Sequence, residues 1–329
     1  MITSRGAMIL GTGHALPERI LTNSDLEKIV DTSDQWIVER TGIRQRHVVT
    51  PGTPLSELVI RAAERALADA GVNAADIDLI VLGSVTGDMK FPATACLVQE
   101  AIGAKHAAAF DLSAACSGFL YSYQVASALL ATGNFKHALV LGGDVLTSMV
   151  DWSDRDTCVL FGDGAGAAVL APSDGKRGLI YGCMHSNGAH AKLLYNPGGG
   201  SLHPPTHESI DAKQHAIRME GREVFRHAVT SMAEALQEVL QKSSLTLNEI
   251  DLLIPHQANL RIIEALGKRF AISSDKVFIN VDRLGNTSAG SIPIALDEAL
   301  KSGRIVPGST VAMVTFGAGF TWAAAAIRF

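Results

Sequence analysis

An internal repeat constrains the fold of this 329-residue chain more than any other feature of its sequence. The segment 75–80 (Ala-Asp-Ile-Asp-Leu-Ile) matches the segment 248–253 (Asn-Glu-Ile-Asp-Leu-Leu) at an offset of 173, and each segment follows an amphipathic helix. Two later predicted helices end at Gly133 and Gly303, which match at an offset of 170. Both matches fall at the boundary of a predicted helix or strand, which favours a duplicated α/β unit.

A third match joins two glycine-rich segments that begin at Phe161 and Phe316, at an offset of 155. The shorter offset places an extra insert of about 15 residues in the first half, after Gly133. Three matches in the same order make a chance resemblance the lesser explanation. Apolar, β-branched runs predict buried strands, and the chain is too long for one ordinary core. We therefore expect two halves, residues 1–172 and 173–329.

The first candidate functional residue, Cys116, follows a short apolar strand at 109–112 and a turn of small residues. The apolar spacing after it predicts a helix that opens at Cys116 and stops at Gly133. Unpaired N–H groups and the positive end of the helix dipole favour the thiolate, which is the nucleophilic form of cysteine. A free cysteine in a core is more often a small buried hydrophobe, and this stretch alone does not decide between the two roles.

The repeat supplies two partners for Cys116. The offset of 170 places Asn286 opposite Cys116, and an internal pseudo-dyad would bring the two strand-to-helix turns together. His256 follows the apolar run 252–254, so we expect it at the carboxyl end of a strand, where open α/β sheets place their sites. A solitary histidine at such a position is more often structural. Its placement together with a cysteine and an asparagine favours a joint catalytic role.

Charge and cysteine usage exclude several classes of protein. The formal net charge is −5, so no basic field attracts nucleic acid. The four cysteines lie far apart without a C-x-x-C pair, which speaks against a disulfide framework or a thiolate zinc site and fits a reducing cytoplasm. The start at residues 1–5 lacks the long apolar run of a signal peptide, so we expect none, and the sequence has no run of eighteen apolar residues that would predict a membrane span. We expect a cytoplasmic protein with no membrane partner.

The residue types of two further segments suggest other kinds of site. Three histidines (His203, His207 and His215) lie in the segment 196–215 without a carboxylate or cysteine at a matching spacing, which predicts a solvated loop and no metal site. The glycine-rich segment 161–167 runs into an apolar, β-branched stretch instead of a helix, which predicts a tight backbone crossing. A nucleotide-binding or redox protein, one alternative function, requires a helix at that place.

Three segments in combination are specific to one family: 113–119, 255–259 and 285–288. The likeness extends from 11–13 and 31–37 to 316–322. Through them the chain resembles, over nearly its whole length, the β-ketoacyl-acyl carrier protein synthase III family of the thiolase superfamily. Elongating enzymes of that superfamily carry Cys-His-His, so the asparagine at position 286 points to the initiating branch. The resemblance implies an α/β, thiolase-like, five-layered αβαβα fold made of two duplicated halves with mixed sheets, and it implies a homodimer.

The resemblance also implies a reaction. A short acyl-CoA, with acetyl-CoA as the expected primer, condenses with malonyl-acyl carrier protein to initiate fatty-acid synthesis, without a metal or a cofactor. Cys116 would accept the acyl group, and the backbone N–H groups of Cys116 and Ala318 would form the oxyanion hole. A neutral His256 and Asn286 would hold the enolate that decarboxylation produces. Ala318 departs from the family's glycine, which keeps the amide donor but adds a methyl group near the site.

The resemblance assigns the surrounding residues as well. The CoA-binding residues would be Trp36 and Arg155 on either side of the adenine, Arg40 near a phosphate and Asn259 at the pantetheine arm. The acyl pocket would be formed by Val85, Leu146 and Phe91, the last reaching across the dimer. The carrier protein would dock on Arg226, Arg261, Lys268 and Arg269. The first half would thus hold the nucleophile and the dimer and acyl-pocket insert, and the second half would hold His256 and Asn286.

The same motifs fit a second function, a ketosynthase or acyltransferase of secondary metabolism that uses another primer or acceptor. Fold and shared motifs do not fix the substrate. The segment 196–215 is longer than in the shortest family members, which bears on the acyl pocket. A non-catalytic scaffold is disfavoured because Cys116, His256 and Asn286 are all present.

Overall fold

Two mixed β-sheets form the frame of the protein in this computed structural model, which describes residues 6–329. The strands are β1 (Met8–Ala15), β2 (Ile20–Thr22), β3 (Gln45–His47), β4 (Leu79–Gly83), β5 (Ala108–Leu112), β6 (Ala138–Val145), β7 (Asp163–Ala171), β8 (Gly178–Ser186), β9 (Leu194–Tyr195), β10 (Arg218–Met219), β11 (Leu252–Pro255), β12 (Thr310–Gly317) and β13 (Thr321–Arg328). The helices are α1 (Asn23–Leu26), α2 (Asp34–Thr41), α3 (Leu55–Ala70), α4 (Thr94–Ile102), α5 (Gly118–Leu130), α6 (Arg155–Cys158), α7 (His207–Asp211), α8 (Gly221–Ser243), α9 (Leu260–Phe270), α10 (Val281–Leu284) and α11 (Ser291–Lys301). The expectation about a signal peptide rests on residues 1–5, which lie outside the described residues.

The two sheets repeat one topology. The strand order is β1-β7-β6-β4-β5 in the first sheet and β8-β13-β12-β11 in the second. In each sheet a parallel pair, β4 with β6 or β11 with β12, is followed by an antiparallel strand, β7 or β13. In the place that β5 takes in the first sheet, the second has an isolated parallel bridge between Leu253 and Val277. The predicted duplication with mixed sheets is confirmed.

The helices and sheets stack in five layers. Helices α3 and α4 cover the outer face of the first sheet, α5 and α11 lie between the two sheets, and α8 and α9 cover the outer face of the second sheet. Small side chains let a sheet lie between two helix layers: four consecutive alanines of β13, residues 323–326, are fully buried. The predicted αβαβα arrangement is confirmed. Among residues 6–329, none of the helices combines the length and the apolar composition needed to cross a bilayer.

The turns that precede α5 and α11 are related by a different offset from the predicted 170 residues. Helices α5 and α11 each follow a 3-10 turn, Ala115–Ser117 and Ser288–Gly290, and the first residue of each turn has a positive φ, 47° and 51° respectively. These turns are 173 residues apart, as are β4 and β11. The residue equivalent to Cys116 is therefore Ala289, and the predicted pairing of Cys116 with Asn286 at an offset of 170 is wrong. Helix α11 has 11 residues against 13 in α5, which shortens the offset at the helix ends.

The two glycine-rich segments are also not equivalent. Phe161 lies before β7 whereas Phe316 lies inside β12, and the strands β7 and β13 begin 158 residues apart instead of 155. The first segment does form a close crossing, as predicted. A Cβ at Gly166 would lie 2.7 Å from the Pro293 Cβ and 2.9 Å from the Ile294 backbone nitrogen. This contact holds β7 against α11, the helix that follows the Asn286 turn.

Candidate active site

A single cavity of about 810 Å³ brings together residues from both halves of the chain. Its lining includes the three predicted catalytic residues, Cys116, His256 and Asn286. It also includes predicted residues of the other groups, namely Trp36, Arg40, Val85, Leu146, Asn259, Arg261 and Ala318. The predicted residues that do not line it are Phe91, Arg155, Arg226, Lys268 and Arg269.

Cys116 lies between β5 and α5, and its partly exposed side chain faces the cavity. The sequence predicts a helix that opens at Cys116, and this prediction is wrong by two residues. The α-helix begins at Gly118, and Cys116 belongs to the preceding 3-10 turn. Burial raises the pKa of the Cys116 thiol to about 12, although a hydrogen bond with the Ser288 side chain lowers it; the Asp144 carboxylate adds to the rise. Desolvation thus outweighs the effect of the helix end, and the pKa of the thiol is raised instead of lowered.

His256 follows β11 directly and is buried, with 3% of its surface exposed. Its backbone N–H donates to the Val314 carbonyl on β12 (2.8 Å), and its ring Nδ1 lies 2.6 Å from Ser291 Oγ. Burial lowers the pKa of His256 to about 3, so the ring is neutral at neutral pH. The predicted strand-end position is confirmed, and the ring has the charge state that the expected role requires.

The buried, neutral ring of His256 predicts that the protein loses folding stability in acid. The folded-state pKa of His256 is about 3 and the ordinary value is 6.5, so the unfolded state binds more protons between these values, and stability falls as the pH drops through that window. At pH 5.5 the expected loss from this residue is about 1.4 kcal/mol relative to pH 8. Urea unfolding of wild type and His256→Gln at both pH values measures it. Between pH 8 and pH 5.5 the free energy of unfolding of H256Q should fall by about that much less than that of wild type. The control variant His106→Gln, at an exposed position, should behave as wild type. Equal losses in wild type and H256Q would contradict the direction of the shift.

Asn286 is held by the segment that precedes β7. Its backbone N–H donates to the Leu160 carbonyl (2.8 Å), and its own carbonyl accepts from the Gly162 N–H (3.0 Å). The side-chain Oδ1 accepts from the Ser288 N–H (2.8 Å). Because Oδ1 is engaged in this way, the amide orientation is fixed, and Nδ2 is left to donate into the cavity that Asn286 lines.

The hairpin of β12 and β13 forms the wall beside Cys116. A Cβ at Gly317 would lie 2.7 Å from the Cys116 backbone nitrogen, so this close approach requires glycine. Thr315 Oγ1 donates to the Cys116 carbonyl (2.9 Å) and ties the hairpin to the turn. Ala318 lines the cavity, and the positive φ of this hairpin belongs to Gly319 (135°). The alanine that replaces the family's glycine is therefore accommodated without backbone strain.

A tryptophan and an arginine of the cavity lining lie together with a second arginine outside the lining. The guanidinium carbons of Arg40 and Arg155 are 4.8 Å and 4.6 Å from the Trp36 ring centroid, within range of cation–π interaction. Arg155 Nη1 also donates to the Asp31 carbonyl (3.1 Å). Asn259 Nδ2 donates to the Arg40 carbonyl (3.1 Å) and so joins the start of α9 to α2. The structure brings together the four residues predicted to bind CoA, although Arg155 itself does not line the cavity.

The remaining predicted residues lie around the cavity. Val85 and Leu146 line it, whereas Phe91 is 84% exposed and contributes nothing to the cavity of its own chain. The four residues predicted to dock the carrier protein are all exposed: Arg226, Arg261, Lys268 and Arg269. Arg226 pairs with Glu223 on the preceding turn of α8 (2.5 Å), and this pairing reduces its availability to a partner.

One wall of the cavity was not predicted. Val224, Ala228 and Met232 of α8 recur every four residues and line it, and Arg222 lies on the same wall. An apolar stripe of this spacing predicts the buried side of a helix, and it does not distinguish core packing from a cavity wall. The sequence therefore contained no feature that marked these residues as part of the site.

Potential metal ligands come together at one place in residues 6–329, away from the cavity. Ligand atoms of Cys183, His185 and Glu238 lie within 4.8 Å of one another. His185 Nε2 and Glu238 Oε2 are 2.7 Å apart, and the Tyr181 hydroxyl donates to the same carboxylate (3.1 Å). The carboxylate thus has hydrogen-bond partners within the protein. Within residues 6–329, the histidines of the segment 196–215 do not belong to a group of this kind.

Comparison with known proteins adds independent findings. The family model described as 3-oxoacyl-[acyl-carrier-protein (ACP)] synthase III matches residues 110–188, and the model of its C-terminal part matches residues 240–329. A β-ketoacyl-[acyl-carrier-protein] synthase III of Desulfitobacterium hafniense is 52% identical over 321 residues, 98% of this chain and 97% of the relative. One from Caldanaerobacter subterraneus is 50% identical over 323 residues, 98% of each chain. The crystal structure of 3-oxoacyl-[acyl-carrier-protein] synthase III from Aquifex aeolicus matches with a TM-score of 0.92 and 45% identity, over 98% of this chain and 100% of that one.

Proposed function

The chain belongs to the 3-oxoacyl-[acyl-carrier-protein] synthase III family, the acyltransferases that carry out the initiating condensation of fatty-acid synthesis, and we propose that it condenses acetyl-CoA with malonyl-acyl carrier protein. The observation that carries this proposal is the joint position of Cys116, His256 and Asn286 on one cavity. The products are a 3-oxoacyl-acyl carrier protein, CO₂ and free CoA, and one proton is consumed. Decarboxylation supplies the carbon nucleophile, so the reaction as proposed uses neither a metal nor an organic cofactor.

In the first half-reaction, Cys116 attacks the carbonyl carbon of the acyl-CoA thioester. The bond between that carbon and the CoA sulfur breaks, and the proton of the Cys116 thiol ends on the CoA thiol. We propose that the backbone N–H groups of Cys116 and Ala318 hold the developing oxyanion. The close packing of Gly317 on the Cys116 amide supports this role, because it brings the segment that carries Ala318 next to that amide.

In the second half-reaction, malonyl-acyl carrier protein loses CO₂ and becomes an enolate. His256 and Asn286 would donate from Nε2–H and Nδ2–H to the enolate oxygen, and the carbanion would attack the acyl-Cys116 carbonyl. The sulfur of Cys116 leaves and takes up a proton. The neutral state of His256 and the engaged Oδ1 of Asn286 support these roles, since each residue then has an N–H to give.

The adenine of CoA is proposed to bind at Trp36. Trp36→Ala is expected to raise the KM for acetyl-CoA about tenfold with little change in kcat. The adenine loses the ring on which it is proposed to stack, and Arg40 and Arg155 lose the ring that they contact. Steady-state kinetics with varied acetyl-CoA measures the effect. Acetyl-pantetheine, which lacks the adenine nucleotide, is the control substrate, and its KM should be the same for both enzymes. An equal rise with the control substrate would mean that Trp36 shapes the cavity instead of binding the nucleotide.

A homodimer is proposed on the basis of the first sheet. Strand β5 is its edge strand and pairs with β4 alone among residues 6–329, which leaves the outer backbone groups of the strand immediately before the Cys116 turn open to a second copy. Phe91, 84% exposed and outside the cavity of its own chain, has the position expected of a residue that closes the acyl pocket of a partner. Val85 and Leu146, on the cavity wall, would then set the length of the acyl group.

The acidic carrier protein is proposed to dock on the exposed cations of α9 and the adjoining start of α8. The docking residues are Arg226, Arg261, Lys268 and Arg269. Arg261 belongs both to this surface and to the lining of the cavity, which supports delivery of the malonyl group along α9.

Two organisational predictions also remain proposals. A boundary between residues 172 and 173 is supported by the chain passing there from β7 in the first sheet to β8 in the second. A cytoplasmic location is supported by the four cysteines, which are free in the described part of the chain.

The proposed function is tested by intact-protein mass spectrometry after mixing with acetyl-CoA and a ladder of longer acyl-CoAs. Malonyl-acyl carrier protein is added in a second step. We expect an acetyl adduct on Cys116 that malonyl-acyl carrier protein discharges with release of CO₂. If only longer or branched acyl-CoAs load Cys116, the primer is one of these and not acetyl-CoA. Discharge to an alcohol or amine without CO₂ would point to an acyltransferase of secondary metabolism, and the absence of any adduct would refute the nucleophile.

A further inference from the structure

We propose that Ser291 is a positioning residue for the condensation: its hydroxyl donates to His256 Nδ1 and holds the ring in the tautomer that carries its proton on Nε2. The inference rests on the proposed function, in which Nε2–H donates to the enolate oxygen. Ser291 Oγ lies 2.6 Å from Nδ1, and the two residues are 2% and 3% exposed. Ser291 acts through His256 and is assigned no contact with substrate.

The direction of this hydrogen bond follows from the surroundings of the hydroxyl. In a neutral imidazole one nitrogen donates and the other accepts, so a hydroxyl beside Nδ1 either donates to it or accepts from it. Within residues 6–329 the Ser291 hydroxyl has Nδ1 as its hydrogen-bond partner and no other. If the hydroxyl accepted from Nδ1–H, its own hydrogen would be buried without an acceptor, which is costly. Donation to Nδ1 satisfies both groups and leaves the proton on Nε2.

The serine does not serve as a helix cap. It is the first residue of α11, the cap position is Gly290, and within the described residues this helix start has no side-chain cap hydrogen bond. At the equivalent position of the first half, α5 begins with Gly118, where a Cβ would lie 3.1 Å from the Gly83 Cα. The two halves share this backbone arrangement. The half that supplies the histidine is the one that places a hydroxyl at the helix start.

The other tautomer would not support the proposed chemistry. With the proton on Nδ1, the lone pair of Nε2 would face the enolate oxygen, and two acceptors would meet where negative charge develops. Protonation of both nitrogens does not remove this choice, because burial lowers the pKa of His256 to about 3. The hydrogen bond from Ser291 therefore selects the donor form of the ring before the substrate binds.

The test compares wild type, Ser291→Ala and Ser122→Ala in the two half-reactions. Ser122 is a matched control, because it is a fully buried serine on α5 whose hydroxyl has no hydrogen-bond partner among residues 6–329. Acetyl loading of Cys116 is measured by intact-protein mass spectrometry, and the condensation is measured by CO₂ release from malonyl-acyl carrier protein. We expect S291A to load at the wild-type rate and to condense about tenfold more slowly, which is about 1.4 kcal/mol and typical of one hydrogen bond. S122A should match wild type in both steps.

Nitrogen-15 NMR of enzyme labelled at histidine gives a readout that does not depend on activity. His256 is assigned by difference from His256→Gln. In wild type we expect the proton on Nε2, and in S291A we expect a mixture of both tautomers.

Three results would overturn the inference. They are a wild-type ring protonated on Nδ1, an S291A ring that keeps the wild-type tautomer, and an S291A enzyme whose loading falls as much as its condensation. If wild type loads no acyl group at all, the proposed function fails instead. The tautomer measurement then still decides whether Ser291 orients His256.

Discussion

Cys116→Ala is expected to abolish acyl loading and to lower formation of the 3-oxoacyl product by at least about 10⁴-fold. Without the sulfur no acyl-enzyme forms, so an enolate held by His256 and Asn286 has no acyl group to attack. The measurement is product formation from labelled acetyl-CoA and malonyl-acyl carrier protein, with intact-protein mass to detect any adduct. The fold should be retained, because the side chain borders a cavity and alanine is smaller than cysteine.

Cys96→Ala is the matched control for the nucleophile. Cys96 is also a free, partly exposed cysteine, but it lies on α4 and does not line the cavity. The control variant should load and condense at the wild-type rate. An acetyl adduct on C116A, or loss of loading in C96A, would mean that the acyl group resides elsewhere.

The protonation state of Cys116 shows what the sequence could not reveal about the site. Its position before a helix predicts a lowered pKa, yet burial raises the pKa to about 12. Two neighbours of Cys116 come from the other half of the chain: the Ser288 side chain hydrogen-bonds to the thiol, and the hairpin that contains Gly317 packs against the Cys116 backbone nitrogen. A local motif cannot report packing between segments some 170–200 residues apart. In the proposed mechanism the thiol would be activated as substrate binds, when the proposed oxyanion hole takes up the charge that its attack creates.

The architecture was predictable because the internal repeat and the apolar runs of the buried strands are visible in the sequence itself. The match of 75–80 with 248–253 has the offset of the equivalent strands β4 and β11. The register at the helix ends was not predictable in the same way. Gly133 and Gly303 each have a positive φ, 79° and 73°, and glycine recurs at helix ends for that reason whatever the helix length. Their match therefore reports two helix ends, and it does not fix which turn residues are equivalent.

The positions of Cys116 and His256 were predictable from a turn and a strand end, whereas Asn286 was reached through an offset that is wrong and Ser291 was not predicted. A serine near the start of a predicted helix is typical of a cap. Its contact with His256 joins the start of α11 to the end of β11, and it requires the three-dimensional arrangement of both elements. The same holds for the α8 wall, whose apolar stripe has the spacing of an ordinary core face.

His256→Ala and Asn286→Ala are each expected to separate the two half-reactions. Acetyl loading of Cys116 should stay close to the wild-type rate, because the proposed oxyanion hole of that step consists of backbone amides. Release of CO₂ from malonyl-acyl carrier protein should fall by about 10²–10³-fold in each variant, the usual effect of removing one donor to a developing oxyanion. The double variant should lose less than the product of the two, because both donors act on one oxygen. Single-turnover loading by intact-protein mass and CO₂ release from the preloaded enzyme measure the two steps.

Asn280 provides a matched control for Asn286. It is also a buried amide, 1% exposed, but its Nδ2 donates to Glu298 (2.7 Å) and it does not line the cavity. Asn280→Ala should lower the free energy of unfolding while CO₂ release per folded enzyme stays close to that of wild type. If H256A and N286A lost loading as severely as CO₂ release, both residues would be structural parts of the cavity wall. If both kept CO₂ release, the enolate would be held by other donors, such as the amides of Cys116 and Ala318. The ratio of the two rates, more than either rate alone, therefore identifies the groups that hold the enolate.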